Sequence, residues 1–532
     1  MENRSSDTSK EGLGVPGSHH ETIIGSQADI EKNDFSYNDT NLVLERLGLE
    51  PQMKKTLGPF AIACVGFNIC NSWVGLAATM VIGMQQGGSV TVIYGMMVTL
   101  VGLGCSAATM AELASVYPTA GGPYHWTSIL APKRAHRVLS YSCASLNIFG
   151  WLSICSGVTI QPGQFIEAIR IFYNPGFEAP PWQYFLFFQA TNIAILVHNI
   201  LMQRRTSWIH DVGFIFSLTS FFVILVSCVA RAPSYNSNEF VWTNFVNNSG
   251  WSSGAVVFLT GMANPNFIYA GIDGAVHLAE EVSNAAQAVP RALLSTIVIG
   301  FTTAFAFALA MLYSLSDFDK VVEDPTGVPI YEIWYQATRS GAAATTFVVI
   351  LLLIACFALN ACQEVSSRLT WAFARDNALI GSRFLGKIDP TLKVPVWALV
   401  ANAFVIFIIG CIYLGSSTAF NAFIGSGLLL QQCSFAFPAA LLLWHRRSDD
   451  VLPKTRSVNL GLFGWLANLV TLLFAPFITI MYCFPIELPV TAATMNYTCA
   501  VVGVMFLFSL VNWFLHARKE YKGPRLPQGQ FA

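Results

Sequence analysis

The chain has 532 residues, of which 54% are hydrophobic and only 11% are charged, and its formal net charge is −1. Because a soluble protein of this length carries about 25% charged residues, the composition excludes an ordinary soluble globular protein. The nearly balanced charge excludes the basic surface that binds nucleic acid. The 12 cysteines form no CxxC pair, so the sequence predicts neither a metal site nor a cofactor.

Residues 1–53 differ from the rest of the chain. They are rich in Ser, Asp, Glu, Lys and Gly, and they lack the apolar stretch of a signal peptide. A segment of this composition cannot bury enough apolar surface to fold. We therefore expect a disordered cytoplasmic tail there, and a second short cytoplasmic tail over residues 517–532.

Between the tails lie twelve apolar segments long enough to cross a bilayer. We number them as spans 1 to 12, at about 57–83, 88–115, 137–166, 183–202, 208–230, 254–279, 290–315, 341–366, 394–414, 418–444, 459–483 and 489–515. With both termini in the cytoplasm, 25 of the 29 basic residues fall on the cytoplasmic side, as the positive-inside rule requires. The sequons at Asn247 and Asn496 then face outward as candidate glycosylation sites.

Span 1 has polar and small residues in its middle, which a continuous membrane helix avoids. The stretch from Asn71 to Gly75 reads NSWVG. We expect the helix to break there, over Asn71, Ser72, Trp73, Val74 and Gly75.

The loop after span 2 is compact and glycine-rich. Glu112 ends span 2, and Tyr117, Pro118, Gly121 and Gly122 follow it. We interpret this set as structure and gating on the inner side.

Span 6 also interrupts itself. The stretch NPNFIYAGIDGAVHLAEE runs from Asn264 to Glu281. Its proline, asparagines and glycines predict a break over Asn266, Phe267, Ile268, Tyr269, Ala270 and Gly271. Asp273 is the acid within the apolar part of this span. Because a carboxylate inside a membrane is costly, it is a candidate functional residue.

Asp273 and His277 share a helix face because they are four residues apart. One interpretation makes Asp273 a group that carries a coupling proton or binds a substrate ammonium. The other makes it a structural partner of the span 1 backbone or of His277. Glu280 and Glu281 lie at the cytoplasmic end of the span, where a gating or a surface role is expected instead of contact with a ligand.

The two breaks occupy matching positions, because spans 1 and 6 open two halves of five spans each. Broken helices at such positions are typical of an inverted repeat with a binding site at the midplane. The N–H end of a half-helix favours an anion and the C=O end favours a cation, so the pair suits a small zwitterion. The alternative is a pair of simple kinks.

Aromatic residues at the breaks are candidates for contact with an ammonium group. Trp73, Phe267 and Tyr269 lie at the breaks, and Trp151 lies near the middle of span 3. Ordinary packing is the alternative for each. Asn360, Gln363 and Glu364 in span 8 either line an exit path or bond between helices.

Three motifs and a short tail segment carry a family resemblance: LASVYPTAGGPYHWTSILAP at Leu113–Pro132, GIDGAVHLAEEVSNAAQAVPRALL at Gly271–Leu294, SSRLTWAFARDNALIGS at Ser366–Ser382, and LERLGLEPQMKKTLGPF before span 1. They resemble the amino acid–polyamine–organocation superfamily and, within it, the fungal amino acid/choline transporter family. The resemblance covers roughly residues 43–515.

This resemblance implies an all-α membrane protein with a leucine-transporter-like fold. That fold has twelve transmembrane helices, as a 5+5 inverted repeat over about 57–230 and 254–444, with discontinuous helices 1 and 6 and two extra helices within 446–516. The transport core is residues 54–445. The implied substrate site lies between spans 1, 3, 6, 8 and 10, and its candidate residues are Asn71, Ser72, Trp73, Val74, Gly75, Trp151, Phe267, Ile268, Tyr269 and Gly271.

The sequence is compatible with more than one coupling ion. Some members of the superfamily place a lysine in span 5, but span 5 of this chain has none, although it has Ser217, Thr219 and Ser220. H⁺ through Asp273 or His277, Na⁺ held by hydroxyls and carbonyls, and uncoupled exchange all remain. Glu112 and Glu280 are the other coupling or gating candidates.

The sequence thus predicts a secondary transporter, not an enzyme, that moves a small zwitterionic or cationic substrate such as GABA, another amino acid or choline by alternating access. The alternatives are transport of a secondary-metabolite precursor or product, and a transporter-derived nutrient sensor. We expect it in the plasma membrane, or alternatively the vacuolar membrane, in contact with lipid. The sequence does not indicate an oligomeric state.

Overall fold

The computed structural model describes residues 52–203, 205–492 and 494–524. Across these residues the chain is α-helical, and β-pairing is confined to two isolated bridges, Leu57 with Val282 and Gln86 with Asn247. The expected N-terminal tail lies outside the described residues, apart from residues 52 and 53.

The first half contains spans 1 to 5. Span 1 is two helices, α1 (Pro59–Cys70) and α2 (Ser72–Gln85). The other helices of this half are α3 (Gly88–Val116, span 2), α4 (Pro123–Leu130), α5 (His136–Tyr173, span 3), α6 (Pro181–Leu201, span 4), α7 (Ile209–Arg231, span 5) and α8 (Asn238–Thr243).

The second half contains spans 6 to 10. Span 6 is divided into α9 (Gly254–Gly261), α10 (Ala263–Phe267), α11 (Gly274–His277) and a 3₁₀ turn (Ala279–Glu281). The helices that follow are α12 (Ala285–Ser314, span 7), α13 (Phe318–Val322), α14 (Pro329–Thr338), α15 (Gly341–Arg375, span 8), α16 (Ser382–Leu385), α17 (Val396–Gly415, span 9) and α18 (Ser417–Trp444, span 10).

Spans 11 and 12 follow the two halves. Span 11 is α19 (Phe463–Met481), and span 12 is α20 (Thr498–Asn512) with a π-helical turn (Trp513–Ala517) and α21 (Arg518–Glu520). Span 12 begins nine residues later than the sequence predicts, at Thr498 instead of 489. Spans 3 and 8 run further than their apolar cores, to Tyr173 and Arg375, because their polar ends continue the helix beyond the hydrophobic stretch.

Eleven helical segments of the described residues are long and apolar enough to cross a membrane. Span 6 supplies the twelfth crossing in pieces, so the predicted number of spans is confirmed. Many large apolar side chains on the outer surface are exposed, among them Val226, Phe404, Phe506 and Leu515. An exposed apolar surface of this extent is typical of membrane proteins, and the protein is an integral multi-pass membrane protein.

Equivalent spans of the two halves pack against each other, as the inverted repeat requires. Span 2 packs against span 7, and span 3 packs against spans 8 and 10. Spans 3 and 10 cross closely because glycines face each other: a Cβ on Gly427 would lie 3.1 Å from the carbonyl oxygen of Gly150. Small residues at such crossings let membrane helices approach.

Two faces of the molecule bound the spans. The first, which we call the basic face, carries residues 52–58, 117–135, 281–284, 376–395, 445–459 and 518–524. The second, which we call the opposite face, carries residues 86–88, 232–253, 315–340 and 482–497. The described chain ends are fixed on the basic face. The N–H groups of Thr56 and Leu57 donate to the Glu281 carbonyl, and the Arg137 guanidinium donates to the carbonyls of Arg518 and Tyr521.

Candidate functional site

The break in span 1 is confined to one residue. Asn71 has φ 29° and ψ 60°, a left-handed conformation that Asn adopts more readily than most residues. Its N–H still donates to the Phe67 carbonyl, and its own carbonyl accepts from Val74 and Gly75. Of the five residues expected in the break, only Asn71 is outside a helix, and Ser72–Gly75 form the first turn of α2.

The break in span 6 is longer. Residues 268–273 are unwound, and Gly271 has φ +76°. The expected start of this break at Asn266 is wrong, because Pro265 and Asn266 lie inside α10. Pro265 is in the first helical turn, where its missing N–H costs no hydrogen bond.

The two breaks contact each other. The Ser72 hydroxyl donates to the carbonyl of Ile268 at 2.6 Å. A Cβ added to Gly75 would lie 3.4 Å from the Phe267 carbonyl oxygen. The N–H groups of Ser72 and Trp73, at the start of α2, have no partner within the helix, and the same turn contacts carbonyl oxygens of span 6. The site therefore offers both polarities of backbone group within a few ångströms.

Exposure differs on the two sides of the contact. Gly75, Phe267 and Ala270 are partly exposed, whereas residues 271–282 and 112–127 are buried throughout. The breaks are therefore closed toward the basic face in this conformation.

Trp73 points away from the contact between the breaks. Its indole N–H donates to the Ser217 hydroxyl at 3.1 Å, and Ser217 donates to the Asn71 side chain at 3.0 Å. Its ring lies 6.1 Å from that of Phe221 and 5.4 Å from that of Phe307. Trp73 therefore fills the space between spans 1, 5 and 7, and Ser217 braces the break from behind.

Trp151 and Tyr269 lie at the unwound segment itself. A Cβ on Gly271 would approach the Trp151 ring to 3.0 Å, so the ring covers the segment. The Tyr269 hydroxyl is buried and has no hydrogen-bond partner among the described residues. A buried unpaired hydroxyl is costly, and it is a natural contact for a polar ligand. Val74 and Ile268 are also buried.

Asp273 is fully buried and is held by residues of spans 3 and 10. Its Oδ2 accepts from the Asn147 amide at 2.9 Å and from the Trp151 indole at 3.4 Å. Its Oδ1 lies 3.3 Å from the Gln431 amide nitrogen, and the Gln431 carbonyl oxygen accepts from the Gly271 N–H at 3.1 Å. Sequence reasoning missed Asn147 and Gln431, although polar residues in otherwise apolar spans were the available signal.

His277 bonds on both of its ring nitrogens. Nε2 lies 2.9 Å from Asp273 Oδ2, and Nδ1 lies 2.8 Å from the Ala120 carbonyl oxygen. Ala120 belongs to the glycine-rich loop after span 2, and its N–H donates to Glu280 at 3.3 Å. The predicted pairing of Asp273 with His277 is thus present, and the loop joins it.

Buried ion pairs lie between this cluster and the basic face. Arg375 makes two hydrogen bonds to Glu280, of 2.9 and 3.0 Å. Arg368 lies 2.7 Å from Glu281. Paired in this way, the buried charges avoid the penalty of an isolated charge, and they fasten the end of span 6 to span 8. This placement agrees with the expected gating role of Glu280 without testing it.

Glu112 lies in a separate cluster. Its carboxylate accepts from Arg447 at 2.6 and 2.9 Å, from Arg456 at 3.1 Å and from the Leu460 N–H at 3.2 Å. It fastens the end of span 2 to the segment between spans 10 and 11. Its gating role stays a prediction.

The polar residues of span 8 bond to neighbouring helices. Asn360 pairs with His198 at 2.7 Å, and Gln363 donates to Asn192 at 3.0 Å. These contacts support the interhelical alternative of the sequence analysis.

Both sequons lie on the opposite face. Asn247 is exposed and its amide donates to the Trp251 carbonyl. The Asn496 amide donates to the carbonyls of Tyr482 and Phe484 at 2.7 and 2.9 Å, so a glycan there would require that both bonds break. Glycosylation stays a prediction for both.

Twelve spans with two broken helices that face each other define a membrane transporter of the inverted-repeat class. A model of the amino acid permease family matches residues 57–506. The chain therefore belongs to the amino acid permease family, a family of transporters and not of enzymes.

Curated relatives cover most of the chain. A choline transporter of Saccharomyces cerevisiae is 31% identical over 473 residues, which are 89% of this chain and 83% of that protein. The transmembrane transporter swnT of Metarhizium robertsii is 32% identical over 473 residues, or 88% of this chain and 93% of the relative. A putative amino acid/polyamine transporter of Macrophomina phaseolina is 31% identical over 436 residues, or 82% and 96%. These similarities favour transport over sensing.

Proposed function

We propose that the protein moves a small zwitterionic or cationic amine, an amino acid, a GABA-like compound or a choline-like compound, across the membrane by alternating access. The contact between the two breaks carries this proposal. It brings the first turn of α2 against the carbonyls of Phe267 and Ile268. The buried hydroxyl of Tyr269, in the same segment of span 6, has no hydrogen-bond partner among the described residues. The names of the relatives, a choline transporter and an amino acid/polyamine transporter, support the substrate class.

The carboxylate of a zwitterion would accept from the N–H groups of the first turn of α2, where the helix dipole favours an anion. Its ammonium would lie against the carbonyls of the unwound segment, with Tyr269 and Phe267 as aromatic neighbours. For a choline-like cation, which has no carboxylate, the carbonyls and aromatic rings would carry the binding.

The orientation follows from the charges. The basic face carries most of the lysines and arginines, so it is the cytoplasmic face under the positive-inside rule, and both termini are cytoplasmic. The conformation described above, closed at the basic face, is then closed on the cytoplasmic side. The plasma membrane is the proposed location, and an ion gradient drives net transport.

An uptake screen tests the proposal. The chain is expressed in a yeast strain that lacks its own permeases, and uptake of labelled choline, GABA and amino acids is measured. We expect saturable uptake of at least one of them over the empty vector. Binding of a labelled compound without flux would overturn the transporter mechanism.

A matched pair of variants locates the site. Gly75→Val places a side chain against the Phe267 carbonyl, in the contact between the breaks, so uptake should be lost while surface expression persists. Gly415→Val is the control, because a Cβ at Gly415 meets nothing within 4 Å. Equal uptake by both variants would place the substrate elsewhere.

A further inference from the structure

The hydrogen bonds of His277 fix where its protons lie. A backbone carbonyl oxygen can only accept, so the Nδ1 that lies 2.8 Å from the Ala120 carbonyl must carry a hydrogen. In the neutral ring the other nitrogen, Nε2, then has a lone pair and no hydrogen. Yet Nε2 lies 2.9 Å from Asp273 Oδ2.

A lone pair against an ionised carboxylate at this distance is repulsive. The contact is attractive only when a proton lies between the two atoms, either on Nε2, giving an imidazolium beside a carboxylate, or on Asp273, giving a neutral ring beside a carboxylic acid. Both arrangements contain one proton and have zero net charge. A net charge of zero is also what complete burial favours, because both side chains are fully buried.

We propose that Asp273 and His277 together hold the proton that couples to transport, and that the Ala120 carbonyl makes this proton obligatory while the basic face is closed. The inference rests on the proposed transport function and names its coupling ion. The other groups that face the pair from the packed elements are neutral: Asn147, Trp151 and the Cys143 thiol from span 3, Cys70 from span 1, and Gln431 from span 10. The nearest charged groups on the side of the basic face are Glu280 and Arg375, which form an ion pair. His125 pairs with Asp376 and not with Asp273 or His277.

Release of the proton follows from the same contacts. The loop that carries Ala120 packs directly on α11, where a Cβ on Gly122 would lie 2.7 Å from the Val276 side chain. When the basic face opens, this loop and span 6 separate and Nδ1 loses its acceptor. His277 can then place its one hydrogen on Nε2 and donate it to an ionised Asp273. The extra proton passes to water that enters from the basic face.

The test uses purified protein in liposomes, with labelled choline or GABA as the probe. Two measurements are made: accumulation driven by an imposed pH gradient, and exchange of external for internal probe without a gradient. Wild type should accumulate the probe and carry protons with it. Asp273→Asn and His277→Gln should lower gradient-driven accumulation at least tenfold and lower exchange by a clearly smaller factor, because exchange needs the substrate site but no net proton movement.

His210→Gln is the matched control. His210 also lies 2.9 Å from a buried carboxylate, that of Glu364. Among the described residues no carbonyl accepts from its other ring nitrogen, so the neutral Nε2–H form satisfies the pair without an added proton. This variant should keep gradient-driven accumulation.

The outcomes separate the two proposals. Absence of saturable exchange in wild type would overturn the proposed function itself. Exchange in wild type that is indifferent to the pH gradient, or accumulation that survives in both variants, would overturn the proton site alone. Monodisperse variants that also lose exchange would assign the pair to substrate binding instead. If a single variant does not fold, the double variant Asp273→Asn/His277→Gln, which removes both members of the pair, replaces it and is judged in the same way.

Discussion

The breaks in spans 1 and 6 face each other but differ in construction. Span 1 is interrupted at Asn71 alone, and a regular helix resumes at Ser72. Span 6 is unwound over residues 268–273, and short helical turns follow it. The span 1 break is braced by a hydroxyl of span 5, whereas the span 6 break is held by amides of spans 3 and 10 around a carboxylate.

The difference indicates a division of roles. A break of one residue leaves the two half-helices as rigid units that orient N–H groups. A break of six residues replaces helical hydrogen bonds by short turns, and its Gly271 N–H and Ile268 carbonyl take side-chain partners from other spans. Span 6 therefore depends more than span 1 on hydrogen bonds from neighbouring spans, and it also carries the pair Asp273 and His277. Substitutions in the span 6 break should be more damaging than those in the span 1 break.

Among the substitutions that follow, Gly271→Ala is expected to have the largest effect. Gly271 has φ +76°, and a Cβ there would lie 2.6 Å from Ile69 Cγ2 and 3.0 Å from the Trp151 ring. Strain of this kind costs about 1–3 kcal/mol, and a loss of that size in the transport-competent state lowers uptake about tenfold or more. Uptake normalised to surface protein measures it. Gly425→Ala is the control, because a Cβ at Gly425 meets nothing within 4 Å. Equal uptake by the two variants would show that transport does not require glycine at position 271.

The next effect concerns Asn71, at the span 1 break. Asn71→Ala places a residue that disfavours left-handed backbone at φ 29° and removes the acceptor of Ser217, so uptake should fall about five- to tenfold for a combined cost of about 1–2 kcal/mol. Asn71→Gly keeps the backbone freedom and loses only the hydrogen bond. It should therefore retain more uptake than the alanine variant. The reverse order would show that backbone conformation does not limit this site.

Gln431→Leu should have an intermediate effect. It removes the acceptor of the buried Gly271 N–H and a donor to Asp273. An unpaired buried group costs about 1–3 kcal/mol, and the lower end of that range predicts uptake about fivefold lower. The neighbouring Gln432→Leu is the comparison, because Gln432 donates instead to Ser106, which also bonds to the Gly102 carbonyl. Kinetic measurements on both should show the loss for Gln431 alone, and a similar loss for both would point to general helix packing.

The smallest effect is expected for Ser217→Ala. Ser217 joins the Trp73 indole to the Asn71 side chain, so its removal should cost about 1 kcal/mol of stability. Since Ser217 lies behind the break, uptake should fall no more than about twofold while the thermal midpoint of the purified protein decreases. A selective loss of uptake at unchanged thermal stability would move Ser217 into the binding site.

Much of this architecture follows from the sequence. Hydropathy predicts the twelve spans, since each apolar block must satisfy its backbone inside the bilayer, and the polar and glycine residues of spans 1 and 6 predict which two are broken. The extent of the breaks is not predictable in this way. Asn264, Pro265 and Asn266 look like helix breakers, but the first turn of a short helix tolerates Pro265, and Ser72–Gly75 are helical because they begin α2.

The hydrogen-bond partners of the candidate residues cannot be predicted from the sequence either. Spacing places Asp273 and His277 on one face, but it does not bring Asn147, Gln431 or the Ala120 carbonyl to them, because those groups come from spans 3 and 10 and from the loop after span 2. Trp73 illustrates the same limit, since its place in the break gives no sign that its ring turns toward spans 5 and 7.

The amino-acid sequence by itself determined the class of protein, the number of spans, the two broken helices and the residues with unusual chemistry, because burial in lipid constrains composition one segment at a time. Only the tertiary structure decided which groups meet, how long each break is and which face is closed. Those properties arise from contacts between segments that are up to several hundred residues apart in the chain. The state of the proton between Asp273 and His277 is of this second kind, since it depends on a carbonyl group that another span delivers.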